Sequence, residues 1–174
     1  KEVSFEQPMI FFPADHLIEK TRQFIRAIKL NQKHLDEDNI FIFGIKPNSP
    51  SSQYGYFLTK NASKGLNKVV KFIEKPNVKN VKKIIKKRAY WNSGILLARK
   101  ISIINNFSKY QTKTLNLCID SIYKSKVSKN IYYLNKKSFK KIPEKSFDYA
   151  ILERSKNING IKLIVPWSDL GSWK

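Results

Sequence analysis

Two aspartates, Asp15 and Asp169, each follow an apolar run and open a loop. Met9-Ile10-Phe11-Phe12-Pro13 leads into the first, and Ile164-Val165-Pro166-Trp167-Ser168 into the second. Carboxylates delivered from two strand ends suit Mg²⁺, a hard cation that takes oxygen ligands and keeps positions for water and substrate phosphate. The same residues also suit the caps of turns or helices, the commonest work of Asp at such places. Glu74 and Asn92 carry groups that hydrogen-bond sugar hydroxyls, and Gly55 and Gly94 let backbone approach a ligand closely. Lys75 offers a point charge to a phosphate. Taken singly, Glu74 and Lys75 read equally well as a solvated pair, Asn92 as a turn former and the glycines as left-handed turn positions. A functional reading rests on their combination.

These residues need elements to position them, and the hydrophobic pattern supplies an α/β set. Met9 to Phe12 reads as a buried strand that delivers Asp15 to its carboxyl end, where α/β proteins bind ligands. Phe24, Ala27, Ile28 and Leu35 recur at helical spacing within Glu19 to Leu35. Ile40 to Phe43 is a second strand, closed by Gly44, and the turn formers from Lys46 to Gln53 make a surface loop. Tyr54 to Leu58 and Val69 to Ile73 are strand-like around a polar connection from Lys60 to Asn67. Pro76 ends the second of them. Asn77 to Arg88 reads as a basic helix with Val78, Val81, Ile84 and Ile85 inward. Trp91-Asn92-Ser93-Gly94 turns into a buried strand, residues 101–127 are helical, and Ser146 to Glu153 is a helix start with Asp148 in its first turn. Ile161 to Val165 is the last strand.

The chain has 174 residues, 41% of them hydrophobic and 13% aromatic. That apolar share excludes a disordered basic tail and supports one domain over residues 1–174. With 34 Lys and Arg against 13 Asp and Glu, the formal charge is +21, which raises the question of nucleic acid. The lysines are spread along the whole chain, however, beside abundant Ile, Asn, Phe and Tyr, the residue types of A- and T-rich codons. Composition drift is a sufficient cause, and a nucleic-acid partner is not expected. Cys118 is the single cysteine, so no intrachain disulfide or Cys-based metal site forms, and a reducing cytoplasm fits. No apolar run approaches the roughly 18 residues of a membrane span, and no membrane partner is expected. The first residues lack the layout of a signal peptide.

The ordered series Pro13-Ala14-Asp15-His16, Phe43-Gly44-Ile45-Lys46-Pro47 with Tyr54-Gly55-Tyr56, Phe72-Ile73-Glu74-Lys75-Pro76, Trp91-Asn92-Ser93-Gly94, Ser146-Phe147-Asp148-Tyr149-Ala150 and Trp167-Ser168-Asp169-Leu170-Gly171-Ser172-Trp173 resembles the nucleotidyltransferase domain of mannose-1-phosphate guanylyltransferases. The match runs in the family's order from Phe11 to Trp173. The resemblance implies a Rossmann-like α/β fold with a mixed, mostly parallel central sheet flanked by helices. It implies a catalytic domain that joins GTP and mannose 1-phosphate into GDP-mannose and pyrophosphate. Asp15 and Asp169 then correspond to the pair that holds Mg²⁺, Lys75 to a group near the sugar phosphate, and Asp15, Lys75 and Asp169 together to the catalytic set. Glu74 and Asn92 would hold sugar hydroxyls, and Gly55 and Gly94 would give backbone contacts. Asp148 either joins the sugar site or orients its loop.

Departures from the family pattern set further expectations. No segment matches the Gly-rich, Arg-containing loop that grips the triphosphate, so the chain is expected to be an N-terminally truncated, incomplete catalytic domain, inactive by itself. An exposed sheet face or edge should accompany that loss. The connection before Trp167 is shorter than usual, which leaves open whether Asp169 keeps a metal-binding position. The resemblance leaves room for a homo-oligomer of the complete protein. Two rivals differ in ligand and class: a hexose-1-phosphate uridylyl- or thymidylyltransferase, and a non-catalytic sugar-nucleotide-binding homologue.

Overall fold

Along Ile40–Ile45, Ile and Phe alternate without a polar interruption, and every residue of this strand is buried. A strand apolar on both faces must lie inside a sheet covered on both sides. The computed structural model, which describes residues 4–62 and 66–171, places it there. Lys1 to Val3, the middle of the Lys60–Asn67 connection and Ser172 and Trp173 of the last motif lie outside the described residues.

In chain order the elements are β1 (Pro8–Phe11), β2 (His16–Ile18), α1 (Thr21–Gln32), β3 (Ile40–Ile45), β4 (Tyr56–Asn61), β5 (Asn67–Ile73), α2 (Val78–Lys86), β6 (Tyr90–Arg99), α3 (Lys100–Tyr110) and α4 (Thr112–Tyr123). There follow β7 (Lys126–Ser128), β8 (Ile131–Tyr133), α5 (Lys136–Phe139), a π turn (Asp148–Leu152), β9 (Ile158–Leu163) and β10 (Trp167–Asp169). The central sheet runs β1-β6-β3-β9-β5-β4, and β4 also pairs with β6. On one face Phe41, Phe43 and Ile45 pack with Phe24 of α1 and with Val81 and Ile84 of α2. On the other, Ile40 and Ile42 pack with Ala150, Ile151 and Leu152 of the π turn, against Ile103 and Phe107 of α3. The alternation of β3 thus fixes a three-layer α/β architecture.

The sheet is mixed, as expected, but its balance is corrected. β3 and β9 are parallel, whereas the other ladders among the described residues are antiparallel. Parallel pairing needs a long crossover, and the short connection between Asn61 and Asn67 allows only an antiparallel return. A second correction concerns β1, which among the described residues pairs with β6 alone and leaves Ile10 and Phe11, with the adjoining Phe12, more than 40% exposed. It is an apolar edge strand where a buried one was expected. Val78 is also exposed, at the first turn of α2. The helix expected at Asp148 is a π turn, closed by the Glu153 N–H donating to the Asp148 carbonyl at 2.9 Å.

Phe57 explains two glycines. It is fully buried, and a Cβ on Gly44 or Gly160 would stand 2.4 or 2.7 Å from its ring. Glycine at both positions lets the β4 aromatic lie flat on the β3–β9 pair and brings β4 against β6 beside Trp91.

Candidate functional site

A cleft of about 180 Å³ opens beside the Tyr90–Trp91 end of β6, with Gly55, Glu74, Asn92, Gly94, Asp148 and Asp169 among its lining residues. Residues far apart in sequence meet there for local reasons. β6 is interrupted between Leu96, opposite Ile42, and Asn92, opposite Gly44, so that Ser93-Gly94-Ile95 bulges against Phe43 alone. Gly94 takes φ +72°, a conformation that L side chains rarely adopt. Buried Ser93 repairs the ladder, its hydroxyl donating to the Phe43 carbonyl at 2.9 Å. The bulge turns Asn92 and Gly94 toward the cleft.

The Asn92 N–H donates to the Gly55 carbonyl at 2.8 Å, and its side-chain amide donates to Asp148 Oδ1 at 2.9 Å. A Cβ on Gly55 would lie 2.5 Å from Glu74 Oε2, so glycine gives that carboxyl its place. The Glu74 N–H donates to Glu153 Oε1 at 3.0 Å. In a π turn residues five apart stack, which sets Asp148 and Glu153 on the side that faces Glu74. Burial, then the charge of Asp148, pushes the Glu74 carboxyl up to about 7, with Lys75 opposing and Glu153 adding. Burial also raises Asp148, against its own backbone N–H, Lys75 and the Asn92 amide. Lys75, at φ +42°, stays exposed at the rim with Nζ 3.9 Å from Glu74 Oε1.

At the other end of the cleft β2 and β10 pair as a two-stranded ribbon with Asp169 opposite His16, and the Leu170 N–H donates to the Asp15 carbonyl at 2.8 Å. Ligand atoms of Asp15, His16 and Asp169 lie within 4.8 Å of one another. With the shorter connection before Trp167, Asp169 still stands beside Asp15 and His16. Gly171 seals the pair: its N–H donates to Asp169 Oδ1 at 2.9 Å, and a Cβ there would stand 2.5 Å from Asp15 Oδ2. Two carboxylates, Asp169 on β10 and the exposed Asp15 just before β2, fit the oxygen preference of Mg²⁺ and leave room for other ligands.

His16, Tyr54 and Trp167 also line the cleft, and Glu153 reaches the Glu74 N–H from outside its lining; sequence reasoning gave none of the four a place there. Trp167 Nε1 donates to His16 Nδ1 at 3.4 Å, which leaves the imidazole proton on Nε2, toward Asp15. Burial lowers the His16 pKa against the pull of Asp169 and Asp15. Tyr54 lies between Trp91 and Trp167, with ring centroids 4.9 and 5.5 Å away, and burial followed by the Asp169 charge raises its phenol. Adjacency to Asp15, Gly55 and Asp169 was the available signal for the first three. Glu153 carried none, because helical spacing does not pair it with Asp148.

The fold and cleft define a Rossmann-like α/β domain in which two neighbouring aspartates stand at one end of a cleft lined by Glu74, Asn92 and Asp148. The nucleotidyl transferase family model matches residues 1–174, and the chain belongs to that family. It is 32% identical over 177 residues to a mannose-1-phosphate guanylyltransferase of Escherichia coli, covering 95% of this chain and 37% of that protein. The alginate biosynthesis protein AlgA of Pseudomonas fluorescens is 28% identical, with 97% of this chain and 36% of that protein covered. The chain thus spans little more than a third of the length of these curated relatives. Among solved structures, a mannose-6-phosphate isomerase from Helicobacter pylori superposes with a TM-score of 0.83 at 26% identity, covering 96% of this chain and 66% of that one. A Thermus thermophilus protein described as a mannose-1-phosphate geranyltransferase gives 0.79 at 20% identity, covering 95% and 47%, and supports the fold alone. No helix among the described residues is long and apolar enough to cross a membrane.

Proposed function

We propose that this chain forms the sugar-phosphate and metal-binding part of an enzyme that joins mannose 1-phosphate and GTP, giving GDP-mannose and pyrophosphate. The observation that carries the proposal is the convergence of Glu74, Asn92, Asp148 and Asp169 at one cleft, with Asp15 beside Asp169, in a chain related to guanylyltransferases. In the reaction a phosphate oxygen of the sugar phosphate bonds to the α-phosphorus of GTP, and the bond from that phosphorus to the β-bridging oxygen breaks. Nucleophile and electrophile are both anionic, so the protein's work is positioning and charge neutralisation. Asp15 and Asp169 would hold Mg²⁺, which supplies positive charge to the phosphates when bound.

The chain's own groups do the rest. Near neutral pH Glu74 both accepts from and donates to hydroxyls, since its carboxyl titrates at about 7. Asn92, held by Asp148, presents a fixed amide. Gly55 and Gly94, both lining the cleft, would give backbone contacts to the sugar, and Lys75 at the rim would meet the sugar phosphate. The test is product analysis of the full-length gene product given mannose 1-phosphate or glucose 1-phosphate with GTP, UTP or dTTP. GDP-mannose as the main product supports the proposal. UDP- or dTDP-glucose as the main product overturns it.

A further inference from the structure

A second cavity, of about 540 Å³, lies behind the sugar cleft between β4, β5 and the segment after the π turn. Lys60, Lys68, Lys71, Arg154 and Lys156 line it, against one acid, Glu153, whose carboxylate is already engaged by the Glu74 N–H. Four other cavities hold at most two Lys or Arg each, one of them lined by Lys68 together with Asp36, Glu37 and Asp38, so the lysines are not evenly shared among them. Among the described residues none of its five cations makes an ion pair.

The crowding is built by the strands. Lys60 stands directly opposite Lys68 in the β4–β5 ladder, a like-charge pairing that costs stability unless something neutralises it. In a regular strand Lys68 and Lys71 would point to opposite faces. Here Leu58 pairs with Lys71 and Thr59 with Val69, so Val70 is bulged out, and both lysines line one cavity. Bulges of this kind re-aim side chains.

From this geometry we infer a second ligand site, one that takes a small molecule carrying a di- or triphosphate group. Five cations against one carboxylate give this concave wall a formal excess of positive charge that matches several adjacent phosphate charges, and the volume is that of a small-molecule site. The inference stands apart from the sugar cleft and does not depend on the reaction assigned to it.

The probe is inorganic pyrophosphate, titrated calorimetrically into the chain in EDTA, with GTP as a second arm that carries the same group on a nucleoside. Saturable one-to-one binding is expected. The double substitution Lys68→Gln/Lys71→Gln should weaken it at least about tenfold, since each charged hydrogen bond lost is worth that order. The equally discharged Lys82→Gln/Lys83→Gln, on exposed positions of α2, should change it less than about twofold by the same measure. Asp169→Asn should retain binding, which separates this site from the metal pair. Melting curves report folding, and easing the Lys60–Lys68 repulsion should leave the first variant at least as stable as the parent. GTP binding that depends on the same lysines upholds the site and identifies nucleotides as ligands. Absent saturation, equal weakening by both double substitutions, or loss in Asp169→Asn overturns it.

Discussion

Asp148 and Asn92, 56 residues apart, are joined by a 2.9 Å hydrogen bond from the Asn92 amide to Asp148 Oδ1. The bond sets the amide's orientation and leaves its oxygen toward the Gly94 N–H, 3.3 Å away. Asp148 is thus a positioning residue for Asn92, and its charge also helps to raise Glu74. Asp148→Ala should weaken mannose 1-phosphate binding about tenfold and also shift the pH midpoint of that binding downward. A purely structural loss would leave the midpoint in place. Calorimetry across a pH series separates the two.

Glu74 makes stability depend on pH. Its folded pKa of about 7 lies above its ordinary 4.5, so its contribution is fully present below the ordinary value and is lost as pH rises toward and through 7. With its partial exposure discounted, the loss is roughly 1–3 kcal/mol. Glu74→Gln should remove that component, flattening the decline in Tm between acid and alkaline pH. Parallel curves for parent and variant would refute the assignment.

Ser93 answers for the bulge in β6. Removing its hydroxyl leaves the Phe43 carbonyl without that donor in a buried strand, and Ser93→Ala should cost about 1–3 kcal/mol in urea unfolding with an unchanged m-value.

The metal role proposed for Asp15 and Asp169 is tested by Gly171 as well as by the two carboxylates. A methyl group at 171 would press on Asp15 Oδ2 and Asp169 Oδ1. Gly171→Ala and Asp169→Asn should each lower Mn²⁺ affinity on the order of tenfold or more, read by calorimetry. Unchanged affinity in both would remove Asp15 and Asp169 from the metal role.

Much of this was legible in the sequence where one local rule decided the outcome. β3 followed from its uninterrupted apolar run, and α2 from the spacing of Val81 and Ile84, with Asn77 capping the Asn80 N–H. Six of the eight expected site residues line one cleft, while Asp15 joins through the β2–β10 ribbon and Lys75 stands at the rim. What was not legible depends on neighbours distant in the chain. The exposure of β1 reflects its edge position, most antiparallel ladders join strands distant in sequence, with only β4–β5 set by a short return, and the place of Glu153 reflects a π turn that helical periodicity does not encode. Gly44 and Gly160 gained meaning only when Phe57 was found lying on both.

The most direct measurement is a calorimetric titration of this chain with mannose 1-phosphate and with glucose 1-phosphate in the presence of Mg²⁺, repeated with Glu74→Gln. Mannose 1-phosphate should bind about tenfold or more tightly than its epimer, because a hydroxyl-matched polar site leaves groups unpaired when the epimer enters. Glu74→Gln should erase most of that preference. Equal binding of the two sugars, untouched by the substitution, would contradict the assignment of this cleft to mannose 1-phosphate.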